Sequence, residues 1–250
     1  MRILYCGDTT LTTAAAYLGG LITRWGWELR YVESGEPLTE ARISSGLDSD
    51  IFIFSDYPAE QVPPETQQII LDRVQAGAGL VMIGGWESYH GLGGNWDGSP
   101  IGGALPVEIS SADDRINSDQ PVFVDATQPA HPILNGLPWA ERPPVIGGFN
   151  RLVAKQTAKV LLEAVTHRAS RTPVGFELHE ERRDPLLVEG SLGDGKTLAL
   201  ATDVAPHWVG PLVDWGDDRI QAQADGGESV EVGSLYAQFL FQLLSWAGAR

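Results

Sequence analysis

Ile3-Leu4-Tyr5-Cys6-Gly7-Asp8 sets a pattern that three later stretches repeat: Ile51-Phe52-Ile53-Phe54-Ser55-Asp56, Leu80-Val81-Met82-Ile83-Gly84-Gly85 and Leu198-Ala199-Leu200-Ala201-Thr202-Asp203. Each is an apolar run of strand length cut off by Gly, Ser, Thr or Asp. Uninterrupted apolar strands are buried on both faces, as in a parallel sheet covered by helices. Between the first two runs, Leu11, Ala14, Ala15, Leu18, Leu21, Ile22 and Trp25 recur at helical spacing and form one apolar stripe. Thr9 or Thr10 is expected to cap its start. A strand at 28–32, a short helix near 38–45 and a helix opening at Pro63-Pro64-Glu65 and stopping at Gly77 complete the alternation. This order predicts an α/β fold with a doubly wound, mostly parallel sheet and helices on both faces. Ligands of such sheets bind beyond the carboxyl ends of the strands. Here those ends carry Asp8, Asp56, the Gly84–Ser88 turn and Asp203.

Between about 106 and 195 the character changes to β-branched runs at 122–124, 152–153, 160–165, 174–178 and 186–188, separated by Gly, Pro and Asp. We read this as an antiparallel extension of the sheet. Val232, Leu235, Tyr236, Phe239, Leu240, Leu243 and Leu244 then predict a closing amphipathic helix. No linker or repeat divides the chain, so residues 1–250 are expected to form one domain with a β-rich excursion.

Seventeen Lys and Arg against 33 Asp and Glu leave a net charge of −16. Nucleic acid and anionic membrane surfaces are thereby excluded as partners on electrostatic grounds. The only lysines are Lys155, Lys159 and Lys196, so the first 154 residues hold none for a phosphate loop or Schiff base. No run approaches the roughly 18–20 apolar residues that span a bilayer. A single cysteine, Cys6, and a strand-like start predict a cytoplasmic protein.

Two segments that follow buried strands carry the candidate chemistry. Gly84-Gly85-Trp86-Glu87-Ser88 stands where a tight strand-to-helix turn exposes a catalytic side chain. Thr202-Asp203-Val204-Ala205-Pro206-His207-Trp208 places an imidazole at the same edge, where it can act as a general base near neutral pH. The remaining histidines, His90, His131, His167 and His179, are scattered, and His179-Glu180-Glu181 lacks the second His of a zinc helix. No metal is expected. Gly91-Leu92-Gly93-Gly94 does not open a helix after the first strand, so no nucleotide cofactor is expected either.

A β/α start of flavodoxin-like type, Gly-Gly-Trp-Glu-Ser at 84–88, His131-Pro132-Ile133 with Gly136-Leu137-Pro138, and Thr-Asp-x-x-Pro-His-Trp at 202–208 together resemble the class I glutamine amidotransferase-like superfamily. Within it the chain is similar to a branch described only by its likeness to glutamine amidotransferases. The resemblance implies a turn in which a Cys attacks the glutamine amide, a His that activates it, and a Glu two residues beyond that orients the His. Trp86 stands in the cysteine position, His207 in that of the His, and Val209 where the Glu belongs. Two departures of three imply a domain without glutaminase activity that binds a small molecule or a protein partner at the same edge.

The candidate catalytic groups are then His207, Ser88 and Glu87. Asp8, Asp56, Gly84, Gly85, Trp86, Asp203 and Trp208 form the candidate ligand-binding set, with Trp96 and Trp215 as further apolar walls. The acids favour a cationic or polyhydroxyl ligand. The alternative is a hydrolase of small amides or esters, using Ser88 or Cys6 with His207 and an orienting Asp203 or Asp214. Trp86, Tyr89, Leu92, Trp96, Ile101 and Leu105 in the long 84–105 excursion predict a homo-oligomer, because mobile apolar side chains are costly to leave in water.

Overall fold

The computed structural model describes residues 1–249, apart from the side chains at positions 41 and 45. In chain order its first half holds β1 (Arg2–Gly7), α1 (Ala15–Arg24), β2 (Glu28–Val32), α2 (Glu40–Gly46), β3 (Ile51–Ser55), α3 (Pro64–Gln75), β4 (Gly79–Ile83), α4 (Pro100–Ala104), β5 (Val107–Glu108) and β6 (Arg115–Ala126). There follow β7 (Val145–Asn150), β8 (Val153–Ala154), β9 (Lys159–Thr172), β10 (Gly175–Leu192), β11 (Gly195–Leu200), α5 (Pro206–Val213), β12 (Arg219–Ala222), β13 (Val230–Gly233) and α6 (Ser234–Gly248).

One nine-stranded mixed sheet organises the α/β fold, in the order β2-β1-β3-β4-β11-β10-β9-β6-β7. The first five strands in that order run parallel and the rest join on antiparallel. The four apolar runs are thus neighbours, β1, β3, β4 and β11, and nearly all their side chains are buried. The β-rich excursion extends the same sheet, so β11 pairs with β4 on one side and β10 on the other.

Two local expectations are corrected. The first helix begins at Ala15, with Ala14 as its cap residue and no side-chain capping bond. Asp8 and Thr9 adopt left-handed backbone (φ 51° and 63°), and Thr10 bonds Thr13 within a turn instead of capping the helix. The runs at 174–178 and 186–188 belong to one strand, β10, which has 18 residues. Its outer part and that of β9 leave the sheet as a hairpin, because β6 pairs with β9 only as far as Thr166.

The 84–105 excursion folds back onto its own sheet. Tyr89, Trp96, Ile101 and Leu105 are buried; only Trp86 and Leu92 remain exposed. Trp96 donates from Nε1 to the Tyr57 carbonyl at 2.9 Å, and Tyr89 hydroxyl reaches the carbonyls of Met82 and Leu200. Most of the apolar patch on which the expected self-association rested is therefore spent inside the protein.

Helix α6 packs its buried Tyr236, Phe239, Leu240, Leu243 and Leu244 toward β3, β4 and β11, with Phe239 edge-on to Trp139 at 5.4 Å. Phe239→Ala leaves a cavity beneath an aromatic pair and is expected to cost about 3–5 kcal/mol. In thermal denaturation each kcal/mol lowers the Tm of a domain this size by roughly 2–4 °C. An unchanged Tm would show that α6 contributes little to the core.

Candidate functional site

The carboxyl ends of β1, β3, β4 and β11 lie side by side, so the segments leaving them meet at one edge. Asp8 and Asp56 follow β1 and β3 directly, both with left-handed backbone (φ 51° and 42°). That conformation is tolerated by Asp better than by most residues and turns the chain sharply off the sheet. Asp8 N–H bonds the Ser55 carbonyl at 2.8 Å, locking the two turns together. Gly85 must be glycine here. A Cβ on it would lie 2.1 Å from Asp56 Oδ1.

Above this edge opens a cavity of about 390 Å³. Asp56, Glu87 and Asp203 supply its acids, Trp86 and His207 its rings, and Ala14, Leu92 and Ala205 part of its apolar lining. Trp86 is 41% exposed. Its ring meets His207 edge-on at 5.2 Å and carries the Arg115 guanidinium 4.8 Å from the ring centre. Among the described residues no Lys or Arg lines the cavity.

Asp8 lies beneath the cavity, buried and hydrogen-bonded by Tyr5 hydroxyl. Burial pushes its carboxyl well above the usual range, partly offset by the Tyr5 bond. Burial raises Asp56 to about 7, helped by the negative charge of Asp8. Burial and the charges of Asp8 and Asp56 also push Asp203 well above the usual carboxylate range. Its Oδ1 accepts from the N–H groups of Val204 and Ala205 at 2.6 and 2.8 Å. Three acids sharing one dry edge cannot all be charged cheaply, so the cluster retains protons that isolated carboxyls release.

The other expected site residues fall into distinct places. Ser88 is buried, and its Oγ accepts from Asp56 N–H at 2.9 Å; no hydrogen bond joins it to His207 among the described residues. Cys6 sits inside β1, where burial pushes its thiol upward and keeps it protonated. Trp208 turns away from the cavity, bonding Asn117 Oδ1 at 2.8 Å and covering Gly148, because its helical neighbour His207 takes the cavity side. Trp96 and Trp215 are likewise buried elsewhere, Trp215 against Trp139. Gly84 lies within the core, where an added Cβ would be 2.5 Å from the Ala201 backbone. No residue from 84 to 88 has positive φ, so the turn lacks the strained backbone of a nucleophile elbow. Among the described residues no group of three His, Cys, Asp or Glu is arranged to hold a metal ion.

One essential element had no sequence signal. Asn150, at the end of β7, is fully buried and clamps Gly85 through both amide atoms, at 2.9 and 3.1 Å. Its Nδ2 also bonds Asp114, whose carboxylate accepts from His90 and Gly91 N–H. This chain of bonds holds the 84–91 loop under the cavity.

With this geometry in place, the relatives are informative. Residues 39–220 match the model of the GATase1-like family, described as "Putative glutamine amidotransferase". The match covers more than half of the chain, which therefore belongs to that family. No curated protein matches it. Two solved structures from Salmonella typhimurium share the fold over 99% of both chains: cytoplasmic protein STM3548, at 21% identity and TM-score 0.74, and cytoplasmic protein STM1381 of strain LT2, at 23% and 0.74. A thua-like protein from Bacteroides uniformis is similar at 13% identity and TM-score 0.54, over 99% of this chain and 91% of its own.

A carboxyl with a raised folded-state pKa makes the folded protein hold a proton that the unfolded chain has lost. Stability must then fall as pH rises from the usual carboxylate value near 4 through about 7 for Asp56. Asp56→Asn keeps an oxygen for the Glu87 N–H and removes this loss. Between pH 5 and pH 8, taken as rough bounds around that window, Tm of the wild type should drop more than that of Asp56→Asn. Equal slopes would show that Asp56 titrates normally.

Proposed function

We propose that this chain is a GATase1-like domain that does not hydrolyse glutamine and binds a small cationic or polyhydroxyl ligand in the cavity at the carboxyl edge of its sheet. The observation that carries this reading is Trp86. It occupies the position where the resemblance calls for a nucleophilic Cys, and its ring lines the cavity together with Asp56 and Asp203. A thiolate is needed for the amide chemistry, and the one thiol in the chain is buried in β1. Ser88 is buried and shares no hydrogen bond with His207 among the described residues, so it is not presented to that imidazole as a nucleophile.

The lining explains the ligand class. With three acids and, among the described residues, no lysine or arginine in its lining, the cavity disfavours carboxylate and phosphate groups once those acids ionise. Carboxyls that hold protons both donate and accept, which suits hydroxyl groups; carboxyls that release them suit an amine. The strand order β2-β1-β3-β4-β11 supports a flavodoxin-like winding, in which such a position is the customary ligand crevice. Residence in the cytoplasm, as the names of the two Salmonella proteins state for them, agrees with the free cysteine.

Two measurements test the reading. Ammonia release from glutamine should equal the protein-free control and stay there in Cys6→Ser; release above it would restore the glutaminase. Thermal-shift titration with a series of short amines and polyols should raise Tm for at least one compound, and Trp86→Ala should abolish that rise. A series that leaves Tm unmoved rejects the ligand site.

A further inference from the structure

The hairpin formed by β9 and β10 is the part of the molecule that its own fold does not complete. Beyond Thr166, β9 no longer pairs with β6, and β10 pairs with β11 only from Leu187. Residues 167–180 thus project as a two-stranded arm, turning between Thr172 and Gly175, about 20 Å long at ~3.3 Å per residue. An isolated two-stranded ribbon is marginal in water, and both edges of this one present backbone groups with no neighbouring strand.

Residues directly opposite one another share a face. Phe176 with Arg171, Leu178 with Ala169, and Glu180 with His167 therefore line one side of the arm. Phe176 is 75% exposed, Leu178 46%, and Val174 at the turn 98%. At its base this face runs into a groove of about 370 Å³ lined by Phe123, Trp139, Pro143 and Val165. Asp125 and Glu180 stand at the same groove.

Charge selects the occupant. The chain carries −16, yet residues 167–180 hold two arginines and two glutamates and so carry no net negative charge. Two bodies of this charge approach best through the segments that are not acidic, and the arm also holds them apart on the scale of the ~10 Å screening length. Along the apolar face Arg171 lies at the tip; at the base Glu180 is bonded by Arg183, which also bonds Asp125 and Glu163, so three acids against one arginine leave the base negative. Reversing a second arm upon the first sets each Arg171 against the Glu180 end of the other, so the face is complementary to itself.

We propose that two copies of this chain clasp through their arms about a two-fold axis, each laying its Phe176 and Leu178 face antiparallel on the other so that the tip of one fills the groove at the base of the other. Such an isologous contact closes on itself.

Sedimentation at about 0.15 M salt and micromolar protein should give a species of twice the 27.0 kDa of one chain. Phe176→Glu should raise the dimer dissociation constant about thirtyfold or more, as loss of an aromatic anchor does, with Tm of the monomer retained. Arg171→Glu and Glu180→Arg should each weaken pairing alone and restore it when the two variant chains are mixed, a result that does not depend on how Phe176→Glu folds. A wild type that stays at one chain mass overturns the proposal. So does a dimer indifferent to both the Phe176 change and the charge exchange, since its contact must then lie elsewhere.

Discussion

Asn150 is the joint on which the site depends. Its backbone N–H bonds the Ala201 carbonyl at 2.7 Å, its amide grips Gly85 from both sides, and its remaining donor reaches Asp114. One side chain therefore ties the end of β7, in the antiparallel half, to the ends of β4 and β11, in the parallel half. A buried amide with both donors and its oxygen engaged is rigid, and a buried amide deprived of partners is expensive. The glycine at 85 lets the clamp close, since any side chain there would collide with Asp56. The position of Trp86, and hence the wall of the cavity, follows from these contacts two bonds away.

Against that rigid frame stands an edge that costs the fold stability. Asp8, Asp56 and Asp203 are gathered with hydroxyl groups of Tyr5 and Ser55 and backbone N–H groups to compensate them. A core built for stability alone would place apolar residues at such positions. Arg115 approaches the edge, but its guanidinium is engaged by Asp113 and the Trp86 ring. Burial of like charges in a cleft is the arrangement found where binding or chemistry demands it. In this chain the acid cluster and the exposed indole occur together at the one place where four strand ends converge.

The sequence made the parallel half of the fold legible because both of its signals are local. Apolar runs such as Ile51–Phe54 announce buried strands, and Pro63-Pro64 announces a helix start. The convergence of Asp8, Asp56, Asp203 and the 84–88 turn followed from topology alone. Trp208 was assigned to the site because it adjoins His207, yet successive residues in α5 point about 100° apart and the indole turns inward. Asn150 and Asp114 were invisible, since a lone amide and a lone acid at strand ends carry no period or spacing. β10 reads as two separate runs because charged side chains at 180–184 interrupt its apolar pattern, and only the pairing with β9 shows that it is continuous.

The pairing of β4 with β11 has a consequence for how the chain is made. These two strands are neighbours at the centre of the sheet, yet more than 100 residues separate Ile83 from Gly195. While the protein is being synthesised, β1 to β4 can assemble early from local β-α-β units, but the far edge of β4 has nothing to pair with until Leu200 has emerged. Through that interval an apolar strand, Leu80-Val81-Met82-Ile83, lies open along its backbone. Contacts so distant in sequence form slowly, and an open apolar edge invites pairing with the wrong chain. The nascent protein is thus most exposed to aggregation in midsynthesis, and help from a chaperone would matter most between the emergence of β4 and that of β11.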